Sequence, residues 1–359
     1  MILNNSIDKR IVKYKFLKFV LVIIKALSFN KAYKKTWIWK KRAYNVCTCG
    51  DSMNFTTTLF NVLIMLFYMA IGFIVTKAKK ATASHAKTLS ALLLYVCGPA
   101  MILSAFEAVE YSLDNLKQMG IFFLASLLIQ VLVIMILYYA LRKKFSDAKY
   151  RVLTFGAACG NVGFFGLPLV QALFPNDPIV SCYSSVYVMS MNIIAFTLGV
   201  FLITQEAKYV SLKTAILNPT SLAIFVALPL YIFKIHFPQV SGNAINILGK
   251  MTTPLCMIVL GMRLSTVNIL SLFKRPFAYL ACAMKLIIFP LFAYLCVYFL
   301  PFLDETFKSC ILILSAAPSG AIILSLAELH DTEQELCANV VLLTTILCVI
   351  TIPLLLLIL

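Results

Sequence analysis

The chain has 359 residues, of which 62% are apolar and 13% charged, with 27 Phe and 16 Tyr. Soluble domains run at about 45–50% apolar and about 25% charged, so an ordinary soluble enzyme is excluded. A disordered chain, poor in apolar and aromatic residues, is excluded as well. The net charge of +17 points away from nucleic acid once it is located. Residues 1–52 hold 12 Lys/Arg against Asp8 and Asp51, and most of the other 19 lie in short loops between apolar runs, where basic residues set membrane orientation.

In chain order, residues 1–52 form a basic N-terminal extension. Its apolar run Phe16–Phe29 is too short to span a bilayer and carries Lys18 and Lys25. It reads as a basic surface helix, as an imitation of a signal peptide without a cleavage site, or as sequence ahead of a natural start at Met53; the last is favoured because Met53-Asn54-Phe55 leads straight into an apolar run. A bilayer core about 30 Å thick takes about 20 apolar residues. Ten stretches qualify: 55–76, 88–107, 118–141, 152–173, 179–203, 220–237, 243–265, 276–299, 307–328 and 335–359. They are continuous runs, which excludes a barrel of short alternating strands. The expected fold is an all-α polytopic membrane protein of ten transmembrane helices.

Charge sets the orientation. Lys77, Lys79, Lys80 and Lys87 follow the first span, Arg142, Lys143, Lys144, Lys149 and Arg151 the third, Lys208 and Lys213 the fifth, and Arg263, Lys274 and Arg275 the seventh. The turns between them are neutral or acidic. Cytoplasmic loops carry the Lys/Arg excess, so both ends of the ten-helix unit are expected to face outward. The unit divides into residues 53–203, a short cytoplasmic linker 204–219, and residues 220–359. With an odd number of spans in each half, the second half enters from the opposite side, giving two inverted five-helix repeats. Spans two and seven each hold a proline near the midpoint, Pro99 and Pro254. Span four holds Gly160-Asn161-Val162-Gly163-Phe164-Phe165-Gly166-Leu167-Pro168, and span nine Ala317-Pro318-Ser319-Gly320. All four are expected to be interrupted.

Asn161 and Pro318 lie roughly 14–16 Å deep at about 1.5 Å per residue, near the bilayer midplane. A break there frees backbone groups that lipid cannot satisfy, so it must line a protein-enclosed cavity, and half-helix N-termini suit an anion. Lys285 is too deep in span eight for easy snorkelling, and an intramembrane ionisable group marks a functional site. It could neutralise an anionic substrate, pair with a carboxylate, titrate if burial lowers its pKa, or act as an inter-helix tie. Asn192 and Asn339 sit in equivalent helices and face one cavity or bond between helices. The candidate substrate-binding set is Asn161, Val162, Gly163, Pro168, Pro318, Ser319, Lys285, Asn192 and Asn339. Enzymatic readings find no footing: there are no paired intramembrane Asp residues, no zinc motif around His85, His236 or His330, and no phosphate-binding loop. Eleven cysteines scattered through apolar runs read as small apolar fillers, and no metal or cofactor is expected.

In order, Gly160–Leu169, Asn218-Pro219, Pro254, Leu260-Gly261-Met262-Arg263-Leu264, Lys285 with Pro290, and Pro318 with Ala327-Glu328 resemble the auxin efflux carrier family, which includes plant exporters and bacterial malate/malonate permease-type carriers. The resemblance covers about residues 53–359. The short connection Gln205–Thr220 is similar to that of the bacterial-type members, and the basic extension departs from the pattern. The resemblance implies a bile-acid-symporter-like fold. Spans one, two, six and seven would form a scaffold and homodimer face, and the other six a moving group in which spans four and nine cross. It also implies elevator-like transport of a small organic anion, with proton or sodium as candidate coupling ion, in the plasma membrane. A sodium-coupled symporter and a non-transporting membrane sensor are the alternatives.

Overall fold

A computed structural model describes residues 55–266 and 276–358. The expectations for residues 1–52, Lys274 and Arg275 lie outside the described residues. The helices are α1 (Phe55–Lys77), α2 (Ser84–Glu107), α3 (Leu113–Lys144), α4 (Ala148–Ala158), α5 (Val162–Leu173), α6 (Ile179–Thr204), α7 (Ala207–Ile232), α8 (Gln239–Thr266), α9 (Pro276–Tyr298), α10 (Glu305–Ser315), α11 (Ala321–Leu329) and α12 (Gln334–Ile358). Among the described residues eight helices are long and apolar enough to cross a membrane. The spans expected at 152–173 and 307–328 are each split, into α4 with α5 and α10 with α11.

Polar residues open the helices where the sequence turns. The side chains of Ser112, Asp147 and Asp304 accept the N–H groups of Asn115, Lys149 and Phe307 at the starts of α3, α4 and α10, satisfying donors that have no intrahelical acceptor. Hydrogen bonds from the Lys149 side chain and backbone hold the Asp147 carboxyl below the usual carboxylate range. Asn218 and Pro219 open the main part of α7, with Asn218 capping Thr220 and proline in the first turn, where its missing N–H costs nothing.

Proline does not always break a helix here, which corrects the expectation of four interrupted spans. Pro99, Pro168 and Pro290 each follow a widened, π-helical turn: Leu93–Cys97, Val162–Gly166 and Met284–Ile288. The N–H just before each proline bonds one residue further back than in an α-helix, Gly98 to Leu93, Leu167 to Val162, and Phe289 to Met284. The extra residue moves aside the carbonyl that the proline ring would strike. α2 and α9 therefore run on through their prolines. In α8 the interruption is a single turn residue, Met251, before Pro254.

The most extensive packing falls within two groups: α1 lies along α8, and α2 packs on α7 and α8; in the other group α3 lies along α6, α9 packs on α10, and α12 on α9 and α11. Between the groups, α1 meets α5 and α12, and α2 and α7 meet α6. The α1–α8 contact is backbone on backbone. A Cβ at Gly72 would lie 2.0 Å from the Ile258 carbonyl oxygen, and one at Gly261 1.8 Å from that of Met69. Small residues let helices approach this closely, and such packing is one of the forces that hold helices together in lipid, where the hydrophobic effect does not drive them together.

Candidate functional site

The two split spans meet at their breaks. Cys159 leaves α4 in extended conformation, and Gly320 enters α11 in the same way. Pro318 cannot donate a backbone hydrogen bond and biases Ala317 away from helix. The freed backbone groups pair across the crossing: the Asn161 N–H donates to the Pro318 carbonyl at 2.6 Å, and the Gly320 N–H to the Cys159 carbonyl at 3.0 Å. These two bonds bracket a single antiparallel bridge between Gly160 and Ser319. Polar backbone that lipid would leave unsatisfied is thus paired inside the protein.

The carbonyl ends of both half-helices are capped by side chains. The Ser319 hydroxyl donates to the Gly156 carbonyl of α4 at 3.0 Å, and Lys285 Nζ donates to the Ser315 carbonyl of α10 at 3.0 Å. Gly156 and Ser315 lie 159 positions apart, as do Gly160 and Ser319. Gly160 has no side chain to do for Ser315 what Ser319 does for Gly156. Lys285 fills that space instead: a Cβ at Gly160 would come within 2.8 Å of its Nζ. Lys285 is fully buried, sits in the widened turn of α9, and lies with Nζ 4.5 Å from the Phe289 ring centroid.

The N-terminal ends are arranged differently. Val162 and Ala321 begin half-helices whose first N–H groups have no intrahelical acceptor. Asn161 precedes α5, and its Nδ2 approaches Cys256 Sγ of α8 at 4.0 Å. On either side of that contact lies a cavity. One, of about 300 Å³, is lined by Tyr68, Met101, Pro168, Lys250 and Pro254. The other, of about 450 Å³, is lined by Leu260, Arg263, Ala321, Glu328 and Asn339. Along α8, Pro254, Cys256 and Leu260 follow one another, so the crossing touches α8 between the two.

The candidate residues therefore divide. Asn161, Val162, Pro318, Ser319 and Lys285 are brought together at the crossing. Gly163 is next to it, where a Cβ would meet Val188 at 3.0 Å, and Pro168 lines the smaller cavity. Asn192 and Asn339 do not share a cavity. Asn192 donates to the hydroxyls of Thr220 and Ser221 on α7, at 3.0 and 3.3 Å, whereas Asn339 lines the larger cavity. Sequence reasoning did not single out Thr344, whose hydroxyl accepts the Ser319 N–H at 3.1 Å, nor Cys256, nor the Arg263–Glu328 ion pair at 3.5 Å.

The apolar helices of membrane-spanning length agree with the comparison to known families. The chain matches the membrane transport protein family model over residues 57–213 and 205–356. The chain belongs to the auxin efflux carrier family. It is 26% identical over 316 residues to an uncharacterized transporter of Methanocaldococcus jannaschii, covering 82% of this chain and 96% of that protein. An uncharacterized transporter of Methanothermobacter thermautotrophicus is 24% identical over 306 residues, covering 84% of this chain and 97% of that one. The protein is a multi-pass membrane transporter and not an enzyme.

Proposed function

We propose that this transporter is a secondary carrier that moves a small organic anion, a carboxylate, across the plasma membrane by elevator-like alternating access. The observation that carries the reading is the crossing of α4/α5 with α10/α11. Its half-helix N-termini bring first-turn N–H groups and positive dipole ends to the crossing, the setting in which membrane carriers hold a carboxylate. Asn161 supplies a side-chain amide beside them. Ser319 and Lys285 each cap one carbonyl of the C-terminal ends, which weakens the negative pole that the anion would meet. A sodium ion would need those same carbonyls as ligands, and Lys285 Nζ already holds one of them. That favours a carrier without sodium at this position over a sodium-coupled symporter.

The paired positions 159 apart at the crossing support two inverted repeats, and the two sets of packed helices support a scaffold of α1, α2, α7 and α8 against a moving group. The scaffold is the homodimer face in this reading. Basic turns after α1 and α3 support the orientation with both ends of the ten-span unit outward. The test is counterflow of labelled small carboxylates in proteoliposomes of the full chain, with and without a proton gradient. Asn161→Ala is expected to reduce counterflow at least tenfold at equal reconstitution. Unchanged kinetics in both Asn161→Ala and Lys285→Met would remove the crossing from the transport path.

A further inference from the structure

The larger cavity, about 450 Å³, falls within the size of sites for small molecules and reaches the start of α11 at Ala321. Asn339 lines it. That residue is fully buried, and neither its Nδ2 nor its Oδ1 has a hydrogen-bond partner among the described residues. A buried amide with both ends unpaired is uncommon and needs an explanation, which a polar ligand in this cavity would supply. The nine-residue α11 points its first N–H groups and its positive dipole end to the same place. Toward the rim, Arg263 of α8 meets Glu328 of α11 through one contact of 3.5 Å, with the Arg263 side chain 24% and the Glu328 side chain 47% exposed. Lys87 and Glu335 also line the cavity, so its charged side chains are two basic and two acidic. An exposed pair held by one long contact is weak, and a guanidinium fork fits any carboxylate that can replace the first.

We infer that this cavity is the loading site for the carboxylate, and that Arg263 exchanges the Glu328 carboxylate for that of the substrate. The inference rests on the reading of the protein as an organic-anion carrier and adds to it a place and a selectivity device. Arg263 takes the anion at the rim; Asn339 and the first N–H groups of α11 receive it deeper, beside the crossing. Glu328 is a built-in competitor that keeps Arg263 neutralised when no substrate is present. Because Arg263 belongs to α8 and Glu328 to α11, the exchange also breaks a tie between the two packed sets of helices.

The experiment is counterflow of labelled acetate, lactate, malonate and succinate by the full-length protein in proteoliposomes, comparing wild type, R263Q, E328Q, N339A and the swapped double variant R263E/E328R. Thermal melting in detergent verifies that each variant is folded. For a substrate of the wild type, E328Q is expected to lower KM severalfold, because the competitor is gone. R263Q and N339A are expected to raise it at least tenfold. The swapped variant is expected to stay as poor as R263Q, although its ion pair is restored. A tie with only a structural role gives the opposite pattern: both single changes act in the same direction and the swap restores transport. That pattern, or an unchanged KM in R263Q and E328Q with wild-type transport intact, overturns this inference and leaves the carrier reading standing. Absence of counterflow for every compound with the wild type overturns both.

Discussion

At the crossing the Ser319 hydroxyl reaches the Gly156 carbonyl, and 159 positions along the chain the Ser315 carbonyl has only Gly160 opposite it, so Lys285 reaches in from α9. Replacing Lys285 by Met keeps the volume but leaves a buried carbonyl without its donor, a loss of about 1–3 kcal/mol. Gly160→Ser alone crowds Lys285 Nζ, an overpacking cost of about 1–3 kcal/mol. Together they are expected to compensate, because a serine at 160 can cap Ser315 as Ser319 caps Gly156. The double variant should be more stable in detergent than Lys285→Met by about 1 kcal/mol, while its counterflow stays low, since a serine hydroxyl does not replace the amine that Lys285 places at the crossing. A double variant no more stable than Lys285→Met would show that capping the Ser315 carbonyl is not what Lys285 contributes to stability. Depth along an apolar run was enough to single out Asn161 and Lys285 in the sequence. The fates of Asn192 and Asn339 were not legible, because they depend on Thr220 and Ser221 being near one of them and not the other.

Among the helices, the α1–α8 contact is fixed by Gly72 and Gly261, where backbone meets backbone. Gly261→Ala is expected to destabilise by more than the about 1–3 kcal/mol of ordinary overpacking, since the obstacle is the Met69 carbonyl and not a flexible side chain. Gly72→Ala should behave alike. Gly120 in α3, where a Cβ would meet nothing within 4 Å, is the control: Gly120→Ala should be neutral or stabilising by up to about 1 kcal/mol through helix propensity. Melting temperatures of the three variants in one detergent decide this, and equal losses at all three sites would contradict it. The helices themselves were largely legible from apolar runs of bilayer length. What the prolines do was not. A proline states that an N–H is missing and that a carbonyl must move; whether the chain answers with a break, as at Pro318, or with a widened turn, as before Pro99 and Pro290, depends on what the freed groups can pair with.

At the scale of the whole molecule, the proposed carrier works through the contact of the crossing with α8, with one cavity on each side of it. The cavities and the Arg263–Glu328 pair were hidden in the sequence: Arg263 reads there as one more basic residue at a span end, and its partner lies 65 positions away. If the crossing carries an anion past α8, Cys256 must be uncovered and covered again in each cycle; at rest it is buried against Asn161. The measurement that tests this most directly is the alkylation rate of Cys256, followed by peptide-resolved mass spectrometry on the reconstituted wild-type protein with a membrane-permeant thiol reagent. Labelling is expected to be slow without substrate and several-fold faster at a saturating concentration of a carboxylate that undergoes counterflow. An alkylation rate unaffected by that carboxylate while counterflow proceeds would mean that the crossing does not move against α8, and the carrier would have to work by another motion.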